Sequence, residues 1–123
     1  MERPKLSIKN ATETVNNGGT VNIANGMYTG TKNTHITLDK NVNIIGQSKD
    51  NTVINGNGKN WIFHIKTGVT VNIQNLTLIN GKSNSGGAVD NNGTLTVNNC
   101  AFNGNHAYGG GAIDNYVDST LLL

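Results

Sequence analysis

The stretch VNIQNLTLING (residues 71–81) returns 24 residues later as LTVNNCAFNGN (residues 95–105), and this repetition decides the fold. The segment GGAVDN (residues 86–91) returns at the same interval as GGAIDN (residues 110–115). A fixed period of roughly 20–50 residues is typical of solenoids, in which one repeat buries its apolar side chains only when another stacks on it. Within each repeat, apolar and polar residues alternate as they do in short strands. The sequence therefore predicts an all-β protein, a parallel β-helix with about 24 residues per coil.

The same interval aligns single apolar positions from one coil to the next. The aligned sets are Ile65, Val89 and Ile113; Val71 and Leu95; Ile73 and Val97; Leu76 and Cys100; and Leu78 and Phe102. We expect these residues to stack in interior rows. Cys100 is the only cysteine, which excludes an internal disulfide and a cysteine-based metal cluster, and its position predicts a buried, inert thiol.

Composition limits the other possibilities. The chain has 123 residues, which is enough for one domain, and only 13% of them are charged. The net charge of +2 and the single arginine, Arg3, provide no basic surface for nucleic acid. No apolar run has the length of a signal peptide or a membrane span, so we expect no membrane insertion by this chain. No cofactor is expected.

The domain organisation follows from the same patterns. We expect one β-helix domain over residues 1–123, with a capping helix over 5–15, irregular first coils over 20–60 and regular coils over 61–123. Ile8, Ala11 and Val15 have helical spacing, and a helix there would cover the first coil. The last coil is expected to be incomplete, so its uncapped end should promote self-association.

The repeated motifs carry a resemblance to a known family. GGAV (residues 86–89) and GGAI (residues 110–113), with Phe102 to Asn105 between them, resemble the GGA[I/V/L] and FxxN motifs of polymorphic outer-membrane protein repeats. The opening, with Gly19 to Ile23 followed by Gly26 to Tyr28, resembles the start of right-handed β-helix proteins. Together they are most similar to the adhesin-like surface proteins of methanogens. The resemblance implies a right-handed β-helix within a longer cell-surface or extracellular protein, with a surface glycan or another envelope component as partner.

The acidic residues argue against catalysis in this chain. Glycosidases need closely placed carboxylates for acid and base chemistry. No two acidic residues here lie within two positions of each other; they are Glu2, Glu13, Asp39, Asp50, Asp90, Asp114 and Asp118. We therefore expect a non-catalytic protein. The alternative is the N-terminal part of a carbohydrate-active enzyme, a lyase or hydrolase, whose catalytic coils lie beyond Leu123.

Asp90 and Asp114 are the candidates for a metal site. At one coil per 24 residues their carboxylates should stack about 4.8 Å apart, and Asn91 and Asn115 would add oxygen ligands suitable for calcium. Calcium prefers about six or more oxygens, and Asp-Asn pairs in turns commonly bond their own backbone. The favoured interpretation is therefore structural, with no metal. His35, His64 and His106 have no ligand-like spacing and are expected at surface positions.

A flat polar surface is the candidate binding site. Hydroxyl and amide residues alternate with inward-pointing apolar ones at Thr20 and Asn22, at Thr70 and Asn72, and at Thr94 and Thr96. When the coils are stacked, these six side chains should form an array able to hydrogen-bond a carbohydrate. The alternative is an ordinary solvated sheet of β-branched residues.

Overall fold

The structure is a computed structural model that describes residues 7–83, 87–107, 111–116 and 119–123. One helix is found among these residues, α1 (Ile8–Thr14), and every other regular element is a strand. No described helix has the length and apolar character needed to cross a membrane.

Helix α1 is shorter than the expected helix over residues 5–15. Ser7 is its N-cap and has extended backbone angles, and its side chain accepts a hydrogen bond from the backbone N–H of Asn10. Residues 5 and 6 lie outside the described part of the chain. Ile8 is buried in the core and Ala11 and Val15 pack against it, so the apolar side of α1 faces the first turn as expected.

The strands follow one another in four successive turns and the start of a fifth. The first turn contains β1 (Gly19–Ile23), β2 (Gly26–Tyr28) and β3 (Ile36–Leu38), and the second contains β4 (Val42–Gly46), β5 (Thr52–Asn55) and β6 (Phe63–Ile65). The third contains β7 (Thr70–Gln74), β8 (Thr77–Ile79), β9 (Lys82–Ser83) and β10 (Val89–Asn91). The fourth contains β11 (Thr94–Asn98), β12 (Ala101–Asn103), β13 (His106–Ala107) and β14 (Ile113–Asn115), and β15 (Thr120–Leu122) follows.

Each strand pairs in parallel with its equivalent in the neighbouring turn. The sheet β1-β4-β7-β11-β15 is here called sheet A, β2-β5-β8-β12 sheet B and β3-β6-β10-β14 sheet C; β9 and β13 form a fourth, two-stranded sheet. The protein is therefore a parallel β-solenoid with a short N-terminal helix, and the predicted fold class is confirmed. The turns of sheet A are 23, 29, 24 and 26 residues long, counted along Gly19, Val42, Val71, Leu95 and Leu121.

The predicted alignment is right in the third and fourth turns and wrong at Ile65. Val71 pairs with Leu95 and Leu78 with Phe102, as the 24-residue interval requires. Val89, however, pairs with Phe63, and Ile65 pairs with Asn91. The cause is corner length, because four residues (66–69) join β6 to β7 whereas two (92–93) join β10 to β11. The longer corner displaces sheet C by two residues and leaves sheet A in place.

The interior is filled by rows of aliphatic side chains, and polar ladders lie between the turns. One row runs through Val21, Ile44, Ile73 and Val97, all of them buried. At a corner, Asn99 donates to the side-chain oxygen of Asn75 at 2.8 Å, which is the amide ladder that their spacing predicts. Cys100 is half-buried rather than fully buried.

The repeated motifs have structural roles here. A Cβ atom on Gly87 would lie 2.2 Å from the carbonyl oxygen of Gly111, so only glycine permits this approach of neighbouring turns. Gly86 and Gly110 lie outside the described residues. Asn105 accepts from the backbone N–H of Gly81 and donates to the carbonyl oxygen of Leu78, which joins two turns.

The last turn is the least buried part of the described chain. β12, β13, β14 and β15 are the terminal strands of their sheets, and Leu122 and Leu123 are 54% and 88% exposed. Strands at a sheet edge have backbone groups available for pairing with another chain. Self-association through this end stays a prediction.

Candidate functional site

The outer side of sheet A carries an array of uncharged side chains that we call the polar face. Strand pairing arranges it in three rows across the turns. The rows are Thr70, Thr94 and Thr120; Thr20, Asn43, Asn72, Thr96 and Leu122; and Asn22, Ile45, Gln74 and Asn98. Neighbouring strands are about 4.8 Å apart, and alternate residues along a strand are separated by about 6.6 Å. The face therefore presents hydroxyls and amides on a regular lattice.

All six residues predicted for the binding surface lie on the polar face, but their alignment differs from the simple one. Thr20 aligns with Asn72 and Thr96, because β1 is displaced by two residues relative to a Thr20–Thr70 alignment. Sequence reasoning also missed the contribution of β4, whose Asn43 lies between Thr20 and Asn72. The alternation of Val42, Asn43 and Ile44 was the available signal.

Most of these side chains form no hydrogen bonds within the protein. The exception is Asn43, which donates to the carbonyl oxygen of Gly19 at 3.4 Å and to the hydroxyl of Thr20 at 3.5 Å. Within the described part of the chain, no side-chain hydrogen bond is formed by Thr70, Asn72, Gln74, Thr94 or Thr96. Their donors and acceptors are therefore available to water or to a ligand.

The proposed calcium ligands separate onto opposite sides of sheet C. Asp90 and Asp114 are in register on β10 and β14, as predicted. Asn91, in contrast, is fully buried, and its amide donates to the side-chain oxygen of Asn115 at 2.6 Å. The expectation that Asn91 and Asn115 add ligands beside the two carboxylates is therefore wrong, because successive residues of a strand point to opposite faces. Among the described residues, no group of three or more His, Cys, Asp or Glu side chains is placed to hold a metal ion.

The outer side of sheet C contains an ion pair that the sequence did not reveal. His64 and Asp90 are in register on β6 and β10, between Thr37 and Asp114. The Nδ1 atom of His64 lies 2.9 Å from Oδ2 of Asp90, and the side chains are 28% and 12% exposed. Because a carboxylate only accepts hydrogen bonds, Nδ1 carries the proton and Nε2 remains available.

Oδ1 of Asp90 is buried and has no hydrogen-bond partner in the described structure. The prediction that the histidines are isolated surface residues is wrong for His64. The 24-residue alignment would place His64 beside Ala88, and only the longer corner at residues 66–69 brings it to Asp90.

Aromatic rings extend this arrangement. The ring of Trp61 lies 4.2 Å from the ring of His35 and 5.6 Å from the ring of His64, measured between centroids. Trp61 precedes β6 and His35 precedes β3, so the contacts cross from one turn to the next. With Asp90 on one side and Trp61 on the other, the imidazole of His64 is held in one orientation.

A cleft of about 390 Å³ opens beside His64, at the corner that separates sheet C from sheet A. It is lined by Asp39, His64, Lys66, Thr67, Val69 and Asn92, and we call it the His64 cleft. Strand pairing explains why these residues meet, because Asp39, Lys66 and Asn92 each follow the last residue of a sheet C strand. A carboxylate, an ammonium group and an imidazole therefore line one cavity, although they are more than 20 residues apart in sequence or on separate strands.

Comparison with known proteins adds no assignment to these two surfaces. No family model matches the chain, and no similar curated protein and no similar solved structure is found.

Proposed function

We propose that this protein is a non-catalytic, adhesin-like β-solenoid of the cell surface that binds an extended polysaccharide along the polar face. The observation that carries the proposal is the lattice of unpaired amides and hydroxyls on sheet A. Hydroxyl-rich polymers both donate and accept hydrogen bonds at each unit, so a repeating array of neutral donors and acceptors is suited to them.

The shape of the face favours an extended ligand over a small one. Five strands at about 4.8 Å spacing form a surface about 19 Å wide, which is long enough for several sugar units. Small ligands are usually held in concave sites, and the polar face is a sheet surface. The resemblance of the GGAV, GGAI and FxxN segments to repeats of surface adhesins, methanogen proteins among them, supports display at a cell envelope, with an envelope glycan as partner.

The proposal is tested with a polysaccharide panel and three proteins. The wild type is compared with a double variant, Asn72→Ala with Thr96→Ala, and with the control Asn103→Ala, which removes an exposed amide from β12. Loss of two hydrogen-bonding groups at about 0.5–1.5 kcal/mol each should weaken binding about tenfold, and the control should bind as the wild type does. Equal affinities in all three proteins would contradict the proposal.

The His64–Asp90 pair favours a second candidate, a carbohydrate-active enzyme. A histidine oriented by a carboxylate is a common acid–base arrangement in active sites. Incubation of the protein with the same polysaccharides distinguishes the two functions. New reducing ends or unsaturated products, absent with His64→Gln, would establish catalysis, whereas unchanged polymer that remains bound supports the first function.

A further inference from the structure

We propose that the His64 cleft is a second binding site, which holds one pyranose unit through adjacent hydroxyl groups. Its volume of about 390 Å³ lies within the range of roughly 300–1,000 Å³ typical of small-ligand sites. The cleft lies beside sheet C, whereas the polar face belongs to sheet A. The inference therefore rests on the proposed function only for the class of ligand, and the two sites can be tested separately.

Four side chains that line the cleft have unused polar groups. Asp39 and Lys66 form no ion pair with each other or with any other described residue. In the same described set, the hydroxyl of Thr67 and the side-chain amide of Asn92 form no hydrogen bond. A cavity with an unpaired acceptor on one side and unpaired donors on the other is suited to a ligand that supplies both kinds of group.

His64 is positioned before any ligand arrives. Asp90 occupies its Nδ1 atom at 2.9 Å, and Trp61 contacts its ring. Its remaining nitrogen, Nε2, is an acceptor in the neutral imidazole. Since binding usually costs about 0.5–1.5 kcal/mol for each side chain that must be immobilised, a histidine already held by two neighbours is a favourable contact for a hydroxyl group.

The charges in the cleft identify the ligand as neutral. Asp39 and Lys66 have opposite charges, so a simple anion would be repelled by the first and a simple cation by the second. A pyranose avoids both penalties, because its hydroxyls donate to Asp39 and Nε2 of His64 and accept from Lys66 and Asn92. Val69, which is buried, provides an apolar contact for ring C–H groups.

The test is an NMR titration of the full chain with methyl hexopyranosides and the corresponding disaccharides, which are too short to cover the polar face. We expect saturable shifts in the backbone signals of Lys66 and Asn92 and in the ring signals of His64, and no shifts at Asn43 or Asn72. Lys66→Gln should weaken binding at least fivefold. Lys59→Gln, which removes a lysine from a loop outside the cleft, should leave the affinity unchanged.

Asp90→Asn tests the positioning role of the ion pair. It should weaken sugar binding and broaden the ring signals of His64, while polysaccharide binding at the polar face remains. Four results would overturn the inference: no shifts at saturating sugar, shifts confined to the polar face, the same shifts with acetate or calcium chloride alone, or cleavage of the disaccharide. If Lys66→Gln loses the sugars but still binds the polymer, the inference and the proposed function both stand; if the polymer alone is lost in the polar-face variant, they are shown to be independent.

Discussion

The polar face and the outer side of sheet C have the same backbone arrangement and opposite chemistry. Both consist of the outward residues of stacked parallel strands. The polar face is uncharged and nearly free of internal hydrogen bonds, whereas sheet C holds the His64–Asp90 pair and borders a cleft with Asp39 and Lys66. The comparison teaches that the solenoid provides the lattice, and that each face acquires its character from which residues meet across turns of 23 to 29 residues.

The largest effect is expected behind the charged face, at Asn91. Its amide donates to Asn115 and to the carbonyl oxygen of Thr120, and its side-chain oxygen accepts from the N–H of Gly93. Asn91→Ala leaves several of these groups buried without partners, at about 1–3 kcal/mol each. We expect the free energy of unfolding in urea to fall by about 3 kcal/mol. A loss below about 0.5 kcal/mol, the size of an ordinary surface change, would contradict the interior position of Asn91.

A smaller effect is expected at the ion pair itself. Because His64 and Asp90 are partly exposed, their interaction should contribute about 1 kcal/mol or less. A double-mutant cycle with His64→Gln and Asp90→Asn measures this coupling, which should decrease in about 1 M salt because salt screens exposed charges. A coupling of zero at low salt would mean that the two side chains do not interact in solution.

The matched change on the polar face should be close to neutral. Asn72 is half-buried and has no internal hydrogen bond among the described residues, so Asn72→Ala should alter the free energy of unfolding by no more than about 0.5 kcal/mol. The result should not depend on salt. A large or salt-dependent loss would show that the polar face has a structural role, and would remove the contrast with sheet C.

The smallest effect concerns Cys100, which lies on neither face. Burial raises the pKa of the Cys100 thiol above its ordinary value of 9.0, and backbone hydrogen bonds oppose this in part. The unfolded chain therefore loses the thiol proton first as pH rises, so this contribution to stability is complete below pH 9 and decreases above it. Cys100→Ala should show a shallower loss of stability between neutral and strongly alkaline pH than the wild type. Parallel pH profiles for the two proteins would contradict the prediction.

The sequence by itself determined the solenoid. The alternation in residues 71–81 and its return in residues 95–105 predict parallel strands stacked at a fixed interval, and Leu78 and Phe102 pair as that interval requires. The six residues of the predicted binding surface also share one face, because their side chains alternate with buried ones on strands of one sheet. Local periodicity is sufficient for such conclusions, since it decides which side of a strand each residue occupies.

Only the tertiary structure decided which residues meet between turns. Two additional residues in the corner at 66–69 moved His64 from the level of Ala88 to that of Asp90, and strand alternation turned Asn91 inward, away from Asp90. Corner lengths vary without changing the apolar alternation, so they leave no periodic signal in the sequence. The ion pair and the cleft depend on those lengths, because a shift of two residues keeps a side chain on its face and changes its neighbours.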